Sequence, residues 1–198
     1  FGFMCRIEEI INIANQWKIP VVEDAAESLG SFYKERSAGS FGMMGAFSFN
    51  GNKLITSGGG GAIVSSEEAH AARAKYLTNT AKVSHVWDYY HDEMGYNFRM
   101  PNINAALVLG QLMQIEKFID SKKQVFEIYR KAFEQFSFDV KEIPTDTRWN
   151  YWLISIELGD ERERNEFLKY TNEHGVMTRP IWKLMFDLPM YKACQKDE

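Results

Sequence analysis

The sequence has few of the features that mark secreted, nucleic-acid-binding and membrane proteins. Its two cysteines, Cys5 and Cys194, stand near opposite ends without a CxxC spacing, which excludes a disulfide framework and a zinc site and predicts ordinary reduced thiols. The 23 Lys and Arg residues do not exceed the 27 Asp and Glu residues, so no basic face is predicted for nucleic acid. No apolar run approaches the roughly 18 residues that a bilayer requires, and no signal-peptide pattern opens the chain. We therefore predict a cytoplasmic protein that contacts neither nucleic acid nor membrane and holds no metal.

The sequence does contain enough apolar residues for a buried core. Of its 198 residues, 45% are hydrophobic and 14% aromatic, and the formal charge is -4. These values are typical of one globular domain, or one and a half. The chain opens at Phe1 in the middle of a helix-then-strand pattern, so we expect it to be part of a longer polypeptide.

Helices and strands alternate in the first part of the chain, which predicts an α/β fold with a mostly parallel sheet. The next helix starts near Asn102 and is predicted to run on or to break near Asp120 and Ser121. Between the predicted helix that ends at residue 79 and the helix that starts near Asn102, residues 80–101 are aromatic and irregular. Such a stretch is typical of a packed surface loop or of a loop with a binding site or subunit contact. The predicted elements are a helix at 6–18, strands at 21–23, 46–49 and 61–65, and a helix at 66–79.

From about residue 138 the pattern changes to that of a small α+β module. We therefore predict a domain boundary near residue 137, giving domains 1–137 and 138–198. Gly175 is expected to end the helix of the second module at its C′ position. The predicted elements are strands at 140–144, 151–158 and 176–178 and a helix at 161–174.

Lys53 follows a short apolar strand and precedes a run of four glycines, Gly58 to Gly61. An amine between a strand end and a glycine-rich turn, with hydroxyl and amide side chains nearby, is suited to a Schiff base with an aldehyde. The alternative is a solvated surface charge, because lysines are rarely buried unless paired. What favours the first interpretation is Asp24, which ends another apolar strand and would face the same crevice at the carboxyl edge of an α/β sheet.

These residue types suit pyridoxal phosphate (PLP) better than any other cofactor. The cofactor's aldehyde requires an amine, its ring nitrogen a carboxylate, and its phosphate hydroxyls and amides. Lys53 and Asp24 are the candidates for the first two roles, and Ser48 with Asn50 for the third. A serine after a strand can also be a simple turn former.

Four stretches of the sequence resemble the DegT/StrS family of PLP-dependent nucleotide-sugar aminotransferases. The resemblance covers nearly the whole chain and implies part of the large domain of a fold-type I PLP-dependent transferase, followed by part of a small α+β domain. Members of this family have roughly twice as many residues, beyond the size of most single domains. Their additional first part supplies a helix that cradles the phosphate. The matching stretches are residues 22–30, 47–61, 95–102 and 175–182.

The resemblance implies a role for each candidate site residue. Lys53 would form the internal aldimine and Asp24 would hold the pyridine nitrogen. Asn97 matches an asparagine that reaches the cofactor phosphate of the neighbouring subunit in a homodimer, with Arg99 beside it in the shared site. Glu27 would face the cofactor's 3′-hydroxyl or the sugar, although surface charge explains Glu27 and Arg99 almost as well.

The implied reaction moves an amino group from an amino acid, usually glutamate, to C4 of a nucleotide-linked 4-keto-6-deoxy sugar. The nearest resemblance is to the enzymes that aminate UDP-4-keto-6-deoxy-N-acetylglucosamine for bacillosamine and legionaminic acid synthesis. A related class that dehydrates ketosugars carries histidine in place of Lys53, so the lysine favours amino transfer. The remaining alternative is a truncated, non-catalytic fragment. His85, His91 and Trp182 could contact the nucleotide sugar, but aromatic packing explains them more simply.

Overall fold

The computed structural model describes residues 1–136, 139–140 and 145–195. The chain divides into two compact units, Phe1–Ser155 and Ile156–Glu198. Helices and strands follow in the order α1 (Ile7–Gln16), β1 (Val22–Asp24), β2 (Phe32–Tyr33), β3 (Arg36–Ser37), β4 (Met44–Ser48), β5 (Gly61–Val64), α2 (Glu68–Thr78), α3 (Asn102–Leu112), α4 (Ile115–Phe133), β6 (Asp139–Val140), β7 (Thr147–Arg148), β8 (Ile156–Glu157) and α5 (Glu161–Glu173), with two short 3-10 turns at Met185–Asp187 and Pro189–Tyr191.

The sheet that carries the candidate site has the strand order β1-β4-β5. Strands β1 and β4 are parallel, with Asp24 opposite Ala46, and β5 runs antiparallel to β4, with Ile63 opposite Ala46. The parallel pair requires a crossover connection, which here includes the β2–β3 hairpin. The mixed α/β class predicted from the alternation is confirmed.

The two faces of this sheet differ in what covers them. On one face Glu23 and Gly45, which are paired between β1 and β4, are buried near a core cluster of Met4, Ile7, Ala25 and Ala38. On the other face the side chains are largely exposed, because side chains alternate along each strand and paired residues share a face. We call this second face the open face; its residues are Val22, Asp24, Ala46, Ser48 and Ile63.

Two predictions about helices and turns need correction. Of the two alternatives predicted for the helix that starts near Asn102, a break near Asp120 is wrong, because that residue lies inside α4, whose buried Ile119 and Phe126 continue the apolar stripe. The helices break instead between Leu112 and Ile115. The β2–β3 hairpin was expected to be loop, since its turn residues Lys34 and Glu35 adopt left-handed φ values of 45° and 64° without the usual glycine or asparagine.

The strand predicted at residues 151–158 is wrong for most of its length. Only Ile156–Glu157 is a strand, and Tyr151 has a left-handed φ of 54° that no β-strand accommodates. The compact unit Phe1–Ser155 extends past the composition change at residue 137 because the side chains of Trp149, Asn150 and Trp152 are buried within it. The assignment of 1–137 and 138–198 as separate family domains stays a prediction.

Within the second unit, helix α5 has the caps that the sequence indicates. Asp160 accepts a hydrogen bond from the Glu163 amide at 2.8 Å, and Gly175 follows the helix with a φ of 78°. The amide of Val176 then donates to the carbonyl of Thr171 at 2.8 Å, which completes a Schellman motif. The strand predicted at 176–178 is wrong, because this segment turns back on the helix end. Residues 141–144 of the strand predicted at 140–144 lie outside the described residues.

Candidate active site

Lys53 lies in the loop that follows β4, and its side chain is only 12% exposed. A turn forms the loop locally, with the Lys53 amide donating to the carbonyl of Asn50 at 3.1 Å. The ammonium group forms an ion pair with the Glu27 carboxylate. A lysine this enclosed requires such a partner, because the desolvated charge would otherwise be costly. The surface-charge interpretation of Lys53 therefore does not describe its environment.

Glu27 is brought to Lys53 by the topology of the sheet. It lies in the loop after β1, which begins with a turn from the Ala25 carbonyl to the Ser28 amide at 3.0 Å. Because β1 and β4 are parallel neighbours, their following loops emerge from the same edge of the sheet. Lys53 and Glu27 meet at that edge although 26 positions separate them in the sequence.

Asp24 and Ser48 project from the open face near the same edge. Asp24 is opposite Ala46, and Ser48 follows Ala46 by two residues, so all three side chains point to one side of the sheet. The Asp24 carboxylate is exposed and accepts a bond from the Ala26 amide at 3.2 Å. The Ser48 hydroxyl accepts a bond from the backbone amide of Asn50 at 3.3 Å, which holds the start of the lysine loop.

The loop that carries Lys53 is anchored to helix α3. Ile55 is fully enclosed against Phe49 and Val108. Beside it, the side-chain amide of Gln111 bonds the backbone of Thr56 twice, accepting from its amide at 3.0 Å and donating to its carbonyl at 2.6 Å. The loop then closes where the Phe49 amide donates to the Gly60 carbonyl at 3.0 Å. Gly60 has a φ of 89°, a conformation that favours glycine and explains part of the glycine run.

Two residues near Lys53 were not found by sequence reasoning. The Trp152 ring centroid lies 4.8 Å from the Lys53 Nζ, within the range of a cation–π contact. Asn150 is fully buried, and its side-chain amide donates to the carbonyls of Glu27 at 2.7 Å and Leu29 at 2.9 Å. Trp152 lies in the stretch predicted as a strand at residues 151–158, and Asn150 immediately precedes it. The signal available was an asparagine set among three aromatic residues, Trp149, Tyr151 and Trp152.

Glu23, next to Asp24, is the third residue that sequence reasoning left without a role. Its buried carboxylate accepts three backbone hydrogen bonds, from the amides of Gly39 at 2.8 Å, Phe41 at 2.5 Å and Gly42 at 2.6 Å. These bonds attach the segment immediately before β4 to strand β1. Glu23 therefore stabilises the sheet, whereas the adjacent Asp24 is left on the open face.

Asn97 and Arg99 lie in the irregular loop between α2 and α3 and not in the cluster around Lys53. Arg99 Nε donates to Asn97 Oδ1 at 2.8 Å. Both residues line an open cavity of about 840 Å³, whose lining also includes Ala46 and Ile63 of the open face. The cavity therefore borders the same side of the sheet as Asp24 and Ser48, while Lys53 and Glu27 are outside its lining.

Two side chains of helix α2 attach the loop that holds Asn97 to that helix. Arg73 of α2 forms a bidentate pair with Glu93, which lowers the pKa of that carboxyl chiefly through hydrogen bonding. The Tyr76 hydroxyl donates to Asp92, and this bond raises the pKa of Tyr76 to about 12. The loop thus has fixed attachments despite its lack of regular structure.

Two of the three aromatic candidates, His85 and His91, have local contacts within the loop between α2 and α3. The His85 ring packs edge-on against Trp87, with centroids 4.9 Å apart, and accepts a bond from the Asp88 amide at 2.9 Å. His91 Nδ1 lies 2.7 Å from the Thr80 carbonyl oxygen. Trp182 is in the second unit and is 65% exposed. Their contact with a nucleotide sugar stays a prediction.

The arrangement around Lys53 has the donor set that PLP requires. An enclosed amine, an exposed carboxylate and a hydroxyl occur at one sheet edge, with Asp24 and Ser48 on the open face. Among residues 1–136, 139–140 and 145–195, no group of three or more His, Cys, Asp or Glu side chains could hold a metal ion. In the same part of the chain, no helix is both long and apolar enough to cross a bilayer.

Several curated proteins of related sequence have names that refer to nucleotide-linked sugars. The chain is 36% identical over 191 residues to GDP-perosamine synthase of Escherichia coli O157:H7, covering 96% of this chain and 52% of that protein. It is 33% identical over 168 residues to UDP-4-amino-4,6-dideoxy-N-acetyl-beta-L-altrosamine transaminase of Campylobacter jejuni serotype O:23/36, covering 84% of this chain and 41% of that protein. The chain spans about half the length of the curated relatives it matches.

The fold has close counterparts among solved structures. The aminotransferase TlmJ from Streptoalloteichus hindustanus superimposes with a TM-score of 0.91 at 20% identity, covering 96% of this chain and 52% of that one. The predicted α/β fold, which covers about half of that chain, is confirmed by this similarity. The sequence also matches one protein family over all of residues 1–198. The chain therefore belongs to the DegT/DnrJ/EryC1/StrS aminotransferase family.

Proposed function

We propose that this chain carries the catalytic lysine of a PLP-dependent sugar aminotransferase, and that Lys53 holds the cofactor covalently. The observation that carries the proposal is the position of the Lys53 amine. It is enclosed in the loop after β4, paired with Glu27 and close to the edge where Asp24 leaves β1. A lysine with no chemical role is more often found solvated at the surface.

Each polar residue of the site has a role that follows from its charge and place. When bound, PLP supplies an aldehyde for the amine and a ring that accepts electrons from the reacting carbon. The Asp24 carboxylate would stabilise positive charge on the ring nitrogen by Coulomb attraction. Ser48 and Asn50 would donate hydrogen bonds to the phosphate oxygens. Glu27 holds the Lys53 ammonium and would turn towards the 3′-hydroxyl or the sugar when the amine is engaged.

Lys53 also has a role as a general acid and base. Its free amine would take a proton from the reacting carbon of the amino donor and return a proton to C4 of the sugar. The Trp152 ring excludes water from one side of the amine, because it is buried at that position. One amine therefore serves both halves of the reaction.

The substrate we propose is a nucleotide-linked 4-keto-6-deoxy sugar, with an amino acid, glutamate, as donor. The names of two relatives support this class, since one makes a GDP-sugar and the other acts on a 4-amino-4,6-dideoxy sugar linked to UDP. The related dehydratases are not favoured, because the family match and Lys53 both indicate amino transfer. An assay of glutamate with UDP-, GDP- and dTDP-linked 4-ketosugars decides the nucleotide and tests the non-catalytic alternative.

We further propose that the active unit is a homodimer with shared sites. Asn97 and Arg99 lie in a different part of the first unit from the Lys53 and Glu27 pair. This separation supports the role that the resemblance implies, in which both residues serve the site of the neighbouring subunit.

The proposal is tested by locating the lysine that binds the cofactor. The chain is mixed with PLP, reduced with sodium borohydride and mapped by peptide mass spectrometry. We expect a visible absorbance band that borohydride bleaches and an adduct on Lys53. Lys53→Ala should lose both signals, whereas the matched control Lys82→Ala, which removes another lysine beside an aromatic ring, should keep them. An adduct on a different lysine, or none, would contradict the proposal.

A further inference from the structure

We propose that residues 150–152, which we call the positioning segment, fix the Lys53 amine in the orientation in which it meets the cofactor. Trp152 holds the amine itself, and Asn150 holds the loop that bears its counter-ion. The inference rests on the proposed function of Lys53, and it assigns the segment a positioning role and not a catalytic one.

The first step is the contact between Trp152 and Lys53. The ammonium nitrogen lies 4.8 Å from the ring centroid, and Trp152 is only 4% exposed. The electron-rich face of an indole attracts a cation, and the attraction grows as water is excluded. Glu27 supplies a second attraction through its carboxylate. A long flexible side chain is thereby held at two points.

The second step is that Trp152 is itself fixed to the lysine loop. Its indole Nε1 donates to the carbonyl of Asn52 at 2.7 Å, the residue immediately before Lys53. The ring therefore sets both the end of the Lys53 side chain, through the cation–π contact, and the backbone from which that side chain starts. Movement of the ring would displace both.

The third step is the backbone of the segment. Tyr151 adopts a left-handed φ of 54°, which is an outlier for a bulky residue. The Asn150 side chain stabilises this turn by accepting a bond from the Trp152 amide at 3.0 Å. Strained backbone of this kind persists only where its surroundings determine it, and it is frequent at functional sites. Here the strain turns Trp152 towards Lys53.

The fourth step joins the segment to Glu27. The side-chain amide of Asn150 donates to the Glu27 carbonyl at 2.7 Å. Both members of the ion pair, Lys53 and Glu27, are thus attached to one buried turn of three residues. A core aromatic with a purely packing role would require neither the indole hydrogen bond nor the face-on placement of the ammonium.

The experiment compares two substitutions of Trp152. Trp152→Phe keeps an aromatic face, while Trp152→Leu keeps apolar bulk without one. Tyr89→Leu is the matched control, because it removes the ring that lies 3.7 Å from the Lys82 Nζ. Two properties are measured: the rate at which acetic anhydride acylates Lys53 relative to Lys82 without cofactor, and the PLP concentration at which borohydride traps half of Lys53.

We expect Trp152→Leu to raise the relative acylation of Lys53 and to weaken PLP capture at this lysine, each by about 2- to 30-fold, the factor that corresponds to a cation–π contact. Trp152→Phe keeps the aromatic face but loses the indole hydrogen bond to Asn52, so it should recover part of both losses. Tyr89→Leu should leave PLP capture at Lys53 unchanged.

The inference is overturned if Trp152→Leu leaves the relative acylation of Lys53 at the wild-type value, or if Trp152→Phe is as impaired as Trp152→Leu, because the aromatic face would then contribute nothing. The acylation measurement contains no cofactor, so it decides the positioning role by itself. Absence of PLP capture by the wild type would instead count against the proposed function.

Discussion

Asn150 donates its side-chain amide to the carbonyl of Glu27 from 123 positions further along the chain. The bond joins the segment before β8 to the loop after β1, and Asn150 itself is fully buried. The Asn150 side-chain amide makes three hydrogen bonds. Its nitrogen donates to the carbonyls of Glu27 and Leu29, and its oxygen accepts from the backbone amide of Trp152. Asn150 is therefore a central structural residue of the site.

Replacing this amide should destabilise the fold. We expect Asn150→Ala to lower the free energy of unfolding by about 2–4 kcal/mol, because one buried and two part-buried backbone groups lose their partner. The measurement is urea denaturation, with a lower midpoint and an unchanged slope. The control is Asn12→Ala, an exposed position of helix α1, which should change stability by less than about 0.5 kcal/mol. Equal midpoints for the two variants would contradict the assigned role of Asn150.

Glu23 should matter for stability and not for chemistry. Glu23→Gln places an amide group against three backbone N–H donors, so at least one of the bonds from Gly39, Phe41 and Gly42 is lost. We expect a loss of about 2–3 kcal/mol, since hydrogen bonds to a charged acceptor are among the stronger ones. Thermal unfolding of this variant beside Glu9→Gln, which changes an exposed carboxylate, provides the comparison. A melting temperature equal to that of Glu9→Gln would exclude the structural role.

Tyr151 should give the protein a dependence of stability on alkaline pH. Burial, and then the nearby Glu127 charge, raise the pKa of Tyr151 above its ordinary value of 10.0. The folded state therefore keeps the phenol proton at a pH where the unfolded state has lost it. The stabilisation is complete below pH 10 and falls as pH rises through the folded pKa, by at most about 1.4 kcal/mol per pH unit.

Tyr151→Phe isolates this effect because it keeps the ring and removes the titrating group. Denaturation curves at pH 8 to 11 should show a smaller decrease of stability for the variant than for the wild type above pH 10. Other groups that titrate in this range are common to both proteins and cancel in the difference. Parallel pH profiles would show that the Tyr151 hydroxyl does not titrate with folding.

Shared sites in a dimer make a prediction about mixed variants. In Asn97→Ala, Lys53 is intact but should capture PLP weakly, because the partner's phosphate contact is missing. Mixing equal amounts with Lys53→Ala and allowing subunits to exchange should restore wild-type affinity to about half of the Lys53 chains, those paired with a subunit that retains Asn97. Borohydride trapping measures this fraction. The control is a mixture with Lys53→Ala/Asn97→Ala, which should restore none; recovery in that mixture would contradict site sharing.

The structural features that could be predicted from the sequence are those that short stretches of sequence determine. The strands that end near Asp24 and Ser48 could be placed because apolar runs and turn residues act locally. The left-handed Tyr151 and the hairpin turn at Lys34 could not, since neither carries the glycine or asparagine that usually marks such a conformation. The contact of Trp152 with Asn52 joins residues 100 positions apart, and local pattern holds no information about it.

The helix break shows the same limit. Polar residues at Asp120 and Ser121 suggested an interruption, but both lie on a helix that continues because Ile119 and Phe126 are buried on its other side. Burial of an apolar stripe outweighs the weak helix preference of one or two residues. Tertiary packing therefore decided the boundary.

The indole beside the Lys53 amine makes the site observable without any label. A charge held against an indole changes the energy and yield of its fluorescence, so a ligand that draws the ammonium away from Trp152 should alter the intrinsic emission of the protein. Of its five tryptophans, Trp17, Trp87 and Trp182 are largely exposed and would respond to solvent quenchers that do not reach Trp152. Trp149 and Trp152 are both buried and share the quencher-resistant emission, so a change in that emission on ligand binding, lost in Trp152→Phe, would report when the Lys53 ammonium leaves the indole.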